Sequence, residues 1–318
     1  MSEHTGRLGL GLAALGRPAY VTGGRSHDLG RDRSVEALRA RTRAVLDHAV
    51  ARGVRYLDAA RSYGLAEQFL SEWLASNPDV GELTVASKWG YTYVGGWRTD
   101  AEVHEVKDDS LPSFERQRQE TAALLGDHLS LYSIHSVTPQ SPALEDAELL
   151  AALARWSAET GVRIGLSTSG PQQLEVVRQA LENQVDGRPV FSAVQATWNV
   201  LEPSVGPALQ QAHDAGWLVV VKEGVANGRL AGEEAPPALR AAADRAGVSP
   251  DSLALAVALT QSWSPTVLSG AVTPDQLDSN LAARDVPQEV AQDAAVALAH
   301  LAEPAQSYWR TRSQRPWT

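Results

Sequence analysis

The chain contains no cysteine and a single methionine. Disulfides, thiolate catalysis, zinc–thiolate sites and iron–sulfur clusters are therefore excluded. Basic residues are in the minority, with 28 Lys and Arg against 38 Asp and Glu, a net charge of −10. They are scattered, which argues against a nucleic-acid partner and against an anionic membrane surface. No uninterrupted apolar run approaches the roughly 20 residues of a membrane span. The opening "MSEHTGRLGL" lacks the apolar core of a signal peptide. A soluble, cytoplasmic protein is the expectation. With 318 residues, of which 43% are hydrophobic, the chain can bury a large core. An α/β barrel of this length forms one domain, expected here over residues 1–318.

Short apolar or β-branched runs recur from end to end. They are "LGLGLAAL" (8–15), "VRYLDAA" (54–60), "LTVASKW" (83–89), "LSLYSIHS" (129–136), "VRIGLSTS" (162–169), "FSAVQATW" (191–198), "WLVVVKEG" (217–224) and "PTVLSGA" (265–271). Helical periodicity fills the gaps, as in 34–53 and 252–263. Gly53 and Gly161 are placed as C-caps, and Pro171, Pro203 and Pro274 at helix starts. Such alternation predicts right-handed βαβ units and a parallel sheet. About eight repeats fit a (β/α)8 TIM barrel of the α/β class. The glycines of "GLGLAALG" do not open a helix, so a dinucleotide-binding open sheet is set aside. Two additions to the minimal barrel are predicted: a long loop after strand 3 (90–112) and an extra C-terminal helix and tail from Val286. "AGEEAPPAL" (231–239) reads as an exposed loop.

Functional groups of such barrels gather at the C-terminal strand ends. Those positions hold Asp58, Lys88, His135, Ser167, Gln195, Lys222 with Glu223, and Ser269. A carboxylate closing a buried strand requires a cation, because an unpaired buried charge costs several kcal/mol. Asp58 and Lys88 close successive strands, so Lys88 is the expected partner. Tyr63, in the turn after Asp58, can lean over the pair. The ammonium is expected to lower the phenol's pKa and make it a proton donor to a forming alkoxide. His135 would donate to the same substrate oxygen. No side chain supplies hydride, so a nicotinamide cofactor is implied.

The segments "DAARSYGLAE", "ASKWG", "IHS", "GLSTS", "VQATWN" and "SGAVTPDQLDSN" follow one another along the chain and together resemble the aldo-keto reductase superfamily. The resemblance covers nearly the whole chain. It implies a (β/α)8 barrel that reduces an aldehyde or ketone to an alcohol, or the reverse, with a catalytic tetrad of Asp58, Tyr63, Lys88 and His135. It also implies that Ser167, Thr168 and Gln195 hold the nicotinamide carboxamide and that Trp198 stacks on the ring. Gly224, Gly228 and Arg229 would cover the pyrophosphate, and Gly270, Gln276 and Asn280 would line the adenine end. NADP(H) is the cofactor the family implies. Val272 stands where an arginine is common, so NAD(H) is the alternative unless a residue such as Arg284 substitutes. Thr168 replaces the usual asparagine, and Trp198 the usual tyrosine.

The aromatic residues Trp89, Tyr91, Tyr93 and Trp97 cluster on and after the third strand, where they would line a pocket for a small carbonyl or alcohol substrate or merely pack the loop. A metal-dependent hydrolase on the same barrel would need several converging ligands, and the sequence has no H-x-H or H-E-x-x-H, so no metal is expected. A non-enzymatic regulatory subunit that keeps the cofactor site is the remaining alternative.

Overall fold

The computed structural model describes residues 7–20, 26–263 and 266–317; Pro265 and Thr318, within the last predicted strand run and the tail, lie outside the described residues. Each of the eight apolar runs forms a strand: β1 Arg7–Gly11, β2 Tyr56–Asp58, β3 Thr84–Trp89, β4 Leu129–Val137, β5 Arg163–Thr168, β6 Ala193–Thr197, β7 Leu218–Lys222 and β8 Thr266–Ser269. They pair in parallel in sequence order, and β8 closes on β1 through the register Arg7 with Thr266 to Leu10 with Ser269. The result is a closed (β/α)8 barrel, as the alternation predicts.

Helices α1 Val35–Ala51, α2 Ala66–Ser76, α3 Leu111–Leu125, α4 Ala147–Thr160, α5 Gln173–Glu182, α6 Gly206–Asp214, α7 Pro237–Ala246, α8 Pro250–Leu259 and α9 Pro274–Leu281 follow the strands, and α10 Gln288–Leu298 and α11 Ala305–Ser313 follow the barrel. Among the described residues no helix is long and apolar enough to cross a membrane. Side chains of a strand alternate between two faces, and here the inward set is small: Tyr56, Ala86, Leu131, Ala193, Val220 and Leu268 plug the barrel. The outward set, including Leu57, Val85, Leu166 and Ala196, joins the helices in the larger core.

Local signals account for most boundaries. Ser34 caps α1 by accepting from the Ala37 N–H, and Gly161, at φ +74°, ends α4 in the left-handed conformation. Pro274 opens α9 as predicted. Pro171 and Pro203 lie instead in the turns before α5 and α6. The loop 90–112 is more ordered than its weak periodicity suggests: Tyr91–Tyr93 pairs antiparallel with Glu105–Lys107. Three-residue strands are too short to carry a readable alternation.

The turns after β1 and β2 pack with almost no space between them. A Cβ on Gly16 would stand 2.2 Å from the Tyr63 carbonyl oxygen, and one on Gly64 2.3 Å from the Gly16 carbonyl oxygen. That same Gly16 carbonyl accepts the Leu65 N–H at 2.7 Å. Because the contact is backbone to backbone, no side chain can swing aside. Gly16→Ala is expected to destabilise the fold by about 2 kcal/mol or more, read from its urea midpoint; an unchanged midpoint would contradict this packing.

Candidate active site

Period-two alternation sends Asp58, Lys88, Gln195 and Lys222 inward at the C-terminal ends of their strands. Lys88 Nζ donates to Asp58 Oδ1 at 2.5 Å and to the Ala59 carbonyl at 3.0 Å. Both side chains are nearly sealed, at 1% and 3% exposure. The second carboxylate oxygen of Asp58 accepts from Gln195 Nε2 at 2.9 Å, across the barrel from β6. The buried carboxylate is therefore served by a charge and by a neutral donor, which offsets its desolvation. The Arg61 N–H bonds the Lys88 carbonyl, tying the turn after β2 to β3.

Tyr63 stands over this pair. Its hydroxyl lies 3.5 Å from Lys88 Nζ, and its ring meets the His135 ring edge-on at 5.4 Å. Burial, with the Asp58 charge added, holds the Tyr63 phenol well above its ordinary value, while Arg17 works against the shift. This is opposite to the depression expected from Lys88. The reason is geometric: the phenol is cut off from water, and the Asp58 carboxylate stands close enough to offset part of the field of Lys88. Burial first, and then the charges of Lys88, Lys107, Arg17 and Lys222, pull the His135 imidazole well below its ordinary 6.5. Tyr63 thus rests protonated and His135 neutral. Ser62 Oγ lies 3.4 Å from His135 Nδ1.

Ser167 pairs in register with Gln195 on the same inner wall, and its hydroxyl accepts the Ser136 N–H at 2.7 Å. Thr168, one residue on, faces outward and donates to Gln173 Oε1 at 3.0 Å. Trp198 likewise belongs to the outward set: it is buried in the helix-facing core, edge-on to Trp263 at 5.6 Å. Trp89 turns out against Phe114. The alternation that brings Lys88, Ser167 and Gln195 in sends these three out, so the expected ring stacking by Trp198, carboxamide contact by Thr168 and pocket wall at Trp89 do not match their places. Tyr91 does reach the mouth, 5.2 Å from the His135 ring. Trp97 sits at the rim, with its indole N–H on the Arg33 carbonyl at 2.7 Å, and Tyr93 accepts the Trp97 backbone N–H.

The loop after β7 is unusual in its backbone. Glu223 (φ +57°), Ala226 (φ +49°), Asn227 (φ +53°) and Gly228 (φ +96°) all have left-handed dihedrals. Gly224 lets this loop approach Leu255, where a Cβ would come within 2.8 Å. Arg229 is ion-paired with Glu303. At the end after β8, space is open around a Cβ on Gly270, Gln276 accepts the Val272 N–H, and Asn280 bridges Ser269 and Asp251. Arg284 is not at that end, because its guanidinium is held by the Arg52 and Leu8 carbonyls at the start of β1.

Other mouth residues carry little or no sequence signal. Arg17, 2% exposed, bonds the Ser62 carbonyl at 3.1 Å and Glu105 at 2.6 Å, and lies over the Tyr63 and Tyr20 rings. Lys107 donates to the His135 carbonyl at 2.8 Å and pairs with Asp109. The tail crosses the mouth. Arg312 of α11 clamps Glu223 with contacts of 2.6 and 3.0 Å, Tyr308 meets Asn199, and Trp317 stacks on His104 at 4.5 Å beneath the Arg17 guanidinium. Only the aromatic and basic composition of "SYWRTRSQRPWT" hinted at this.

Lys88→Met leaves Asp58 a buried charge without its cation and is expected to cost about 3–5 kcal/mol in denaturant unfolding. Adding Asp58→Asn should recover a large part of that loss; no recovery would mean the two do not act as a pair. For His135, the folded-state pKa lies below the unfolded one, so only the unfolded chain takes up the proton. Its contribution to stability is complete above about pH 6.5 and declines as the pH falls below it. His135→Asn should flatten the decline in unfolding free energy between pH 6.5 and 5, whereas an unchanged slope would assign it to other groups.

Comparison with known proteins agrees with this architecture. The family model "Aldo/keto reductase family" matches residues 7–297. "Protein tas" of Escherichia coli K12 is 25% identical over 292 residues, covering 75% of this chain and 83% of that protein. A holo aldo-keto reductase of Bacillus halodurans superposes with a TM-score of 0.68 at 22% identity, covering 94% of this chain and 93% of that one. The glycerol dehydrogenase of Gluconobacter oxydans gives 0.66 at 20% identity, with 94% and 92% covered. With a family match that spans all eight strands, this chain belongs to the aldo/keto reductase family of NAD(P)H-dependent oxidoreductases.

Proposed function

We propose that the protein reduces the carbonyl group of a small molecule to an alcohol, or runs the reverse reaction, with Tyr63 as the acid/base. The observation that carries this reading is the convergence of Tyr63, Lys88 and His135 above the Asp58 carboxylate at one strand-end mouth. A nicotinamide dinucleotide suits the rest of that mouth. Ser167 and Gln195 lie side by side on the inner wall, and the loop 223–228 carries a buried side-chain amide oxygen, Asn227 Oδ1, with no hydrogen-bond partner among the described residues. When bound, the cofactor supplies the hydride.

This chain's residues do the remaining work. The Tyr63 phenol, kept protonated by burial, donates to the carbonyl oxygen as charge builds on it. The neighbouring Lys88 ammonium then stabilises the phenolate left behind, and Asp58 and Gln195 keep that ammonium in place. His135, neutral at physiological pH, orients and polarises the same oxygen. Aromatic walls from Tyr91, Tyr20 and Trp317 favour apolar or aromatic carbonyl compounds.

Tyr63→Phe should lower turnover by about 10²–10⁴-fold while leaving cofactor affinity intact. Retained turnover would remove Tyr63 as the acid, and lost affinity would mean that the substitution disturbs the fold. Val272 is apolar, and Arg284 is held elsewhere, so neither offers a charge-assisted contact to a 2′-phosphate. NADH and NADPH are therefore expected to bind with similar affinity in calorimetric titrations; a large preference for NADPH would point to a cation supplied from another loop.

A further inference from the structure

Among the described residues, the cations of the mouth are paired one to one with carboxylates, with a single exception. Lys88 has Asp58 at 2.5 Å, Arg17 has Glu105 at 2.6 Å, and Lys107 has Asp109 at 3.1 Å. Glu223, by contrast, lies between two cations. Arg312 takes it in a close forked contact, and Lys222 reaches it only at 3.8 Å. The nearest polar contact of Lys222 Nζ is a neutral one, Thr197 Oγ1 at 2.7 Å. Its side chain is only 17% exposed. Lys222 is thus a largely enclosed ammonium whose nearby carboxylate is already engaged by a second cation.

Its position gives this charge a consequence. In the sheet register Lys222 stands beside Thr197, and Gln195, two residues back on the same strand and the same face, stands beside Ser167. Two residues along a strand span roughly 7 Å. The ammonium therefore borders the wall assigned above to the nicotinamide carboxamide. The oxidised nicotinamide ring carries a positive charge and the reduced ring none, while the phosphates of the two forms are the same.

We propose that Lys222 is a specificity-determining residue that makes the site favour the reduced cofactor over the oxidised one. The inference rests on the function proposed above. At a separation of several ångströms in a partly enclosed site, repulsion between two unit charges is large enough to shift a binding ratio by roughly tenfold. Burial lowers the Lys222 pKa to about 8, with Glu223 and Asp58 opposing and Arg312 and Lys88 adding to the shift, so the charge is present at neutral pH and lost above it.

The test is the ratio of dissociation constants for NAD+ and NADH, measured by calorimetry at pH 7 on the full-length protein, Lys222→Met and Lys222→Arg. Lys222→Met should shrink the preference for NADH roughly tenfold, mainly by tightening NAD+, and Lys222→Arg should retain it. The wild-type ratio should also contract between pH 7 and 9.5 as Lys222 deprotonates, a readout that does not depend on a variant folding. A ratio that is the same in wild type and Lys222→Met and flat with pH would overturn the role of Lys222 while leaving the oxidoreductase reading standing. If the wild-type protein bound neither nucleotide, both would fall together.

Discussion

Everything at the mouth of this barrel depends on one buried ion pair. Lys88 and Asp58 are almost fully enclosed, and neither charge could be kept there alone. Their contact ties the ends of β2 and β3, Gln195 extends it across the barrel to β6, and the Lys88 carbonyl holds the turn that carries Tyr63. Tyr63 is thus positioned by the same groups that keep the charges stable. This explains how a polar cluster persists in a barrel otherwise plugged by Tyr56, Leu131, Val220 and Leu268.

The electrostatic character of the mouth differs from that of the whole molecule. The chain is acidic, with a net charge of −10, yet four cations bear on the His135 imidazole. Three are balanced locally by carboxylates and the fourth, Lys222, shares its carboxylate with Arg312 from the C-terminal helix. The tail is therefore part of the mouth: it supplies Arg312 to the loop after β7 and Trp317 to the loops after β1 and β3. The left-handed Glu223 is held by that contact, which ties the strained loop to the tail.

Much of this was legible in the residues themselves. Period-two apolar runs and the helical segments between them specify eight βα units, because each element must bury a face and only a limited set of layer arrangements does so. The need of Asp58 for a cation, and the appearance of Lys88 one strand later, follow from the cost of burying charge. Adjacency in sequence does not give a shared face: Trp198, Thr168 and Trp89 each stand next to or near an inward residue, and each faces the helices. A motif taken as a block ignores the alternation that separates its neighbours.

Composition and patterning by themselves determined the barrel, the order of its strands and the identity of the buried pair, since these rest on local periodicity and on the charge balance of a closed core. Only the tertiary structure decided how those charges act. It buried the Tyr63 phenol and set the Asp58 charge near it, brought Arg17 and Trp317 from opposite ends of the chain to one wall, and moved Arg284 away from the site expected of it. These outcomes depend on distances between residues far apart in sequence and on the exclusion of water from the space between them, which no local pattern encodes.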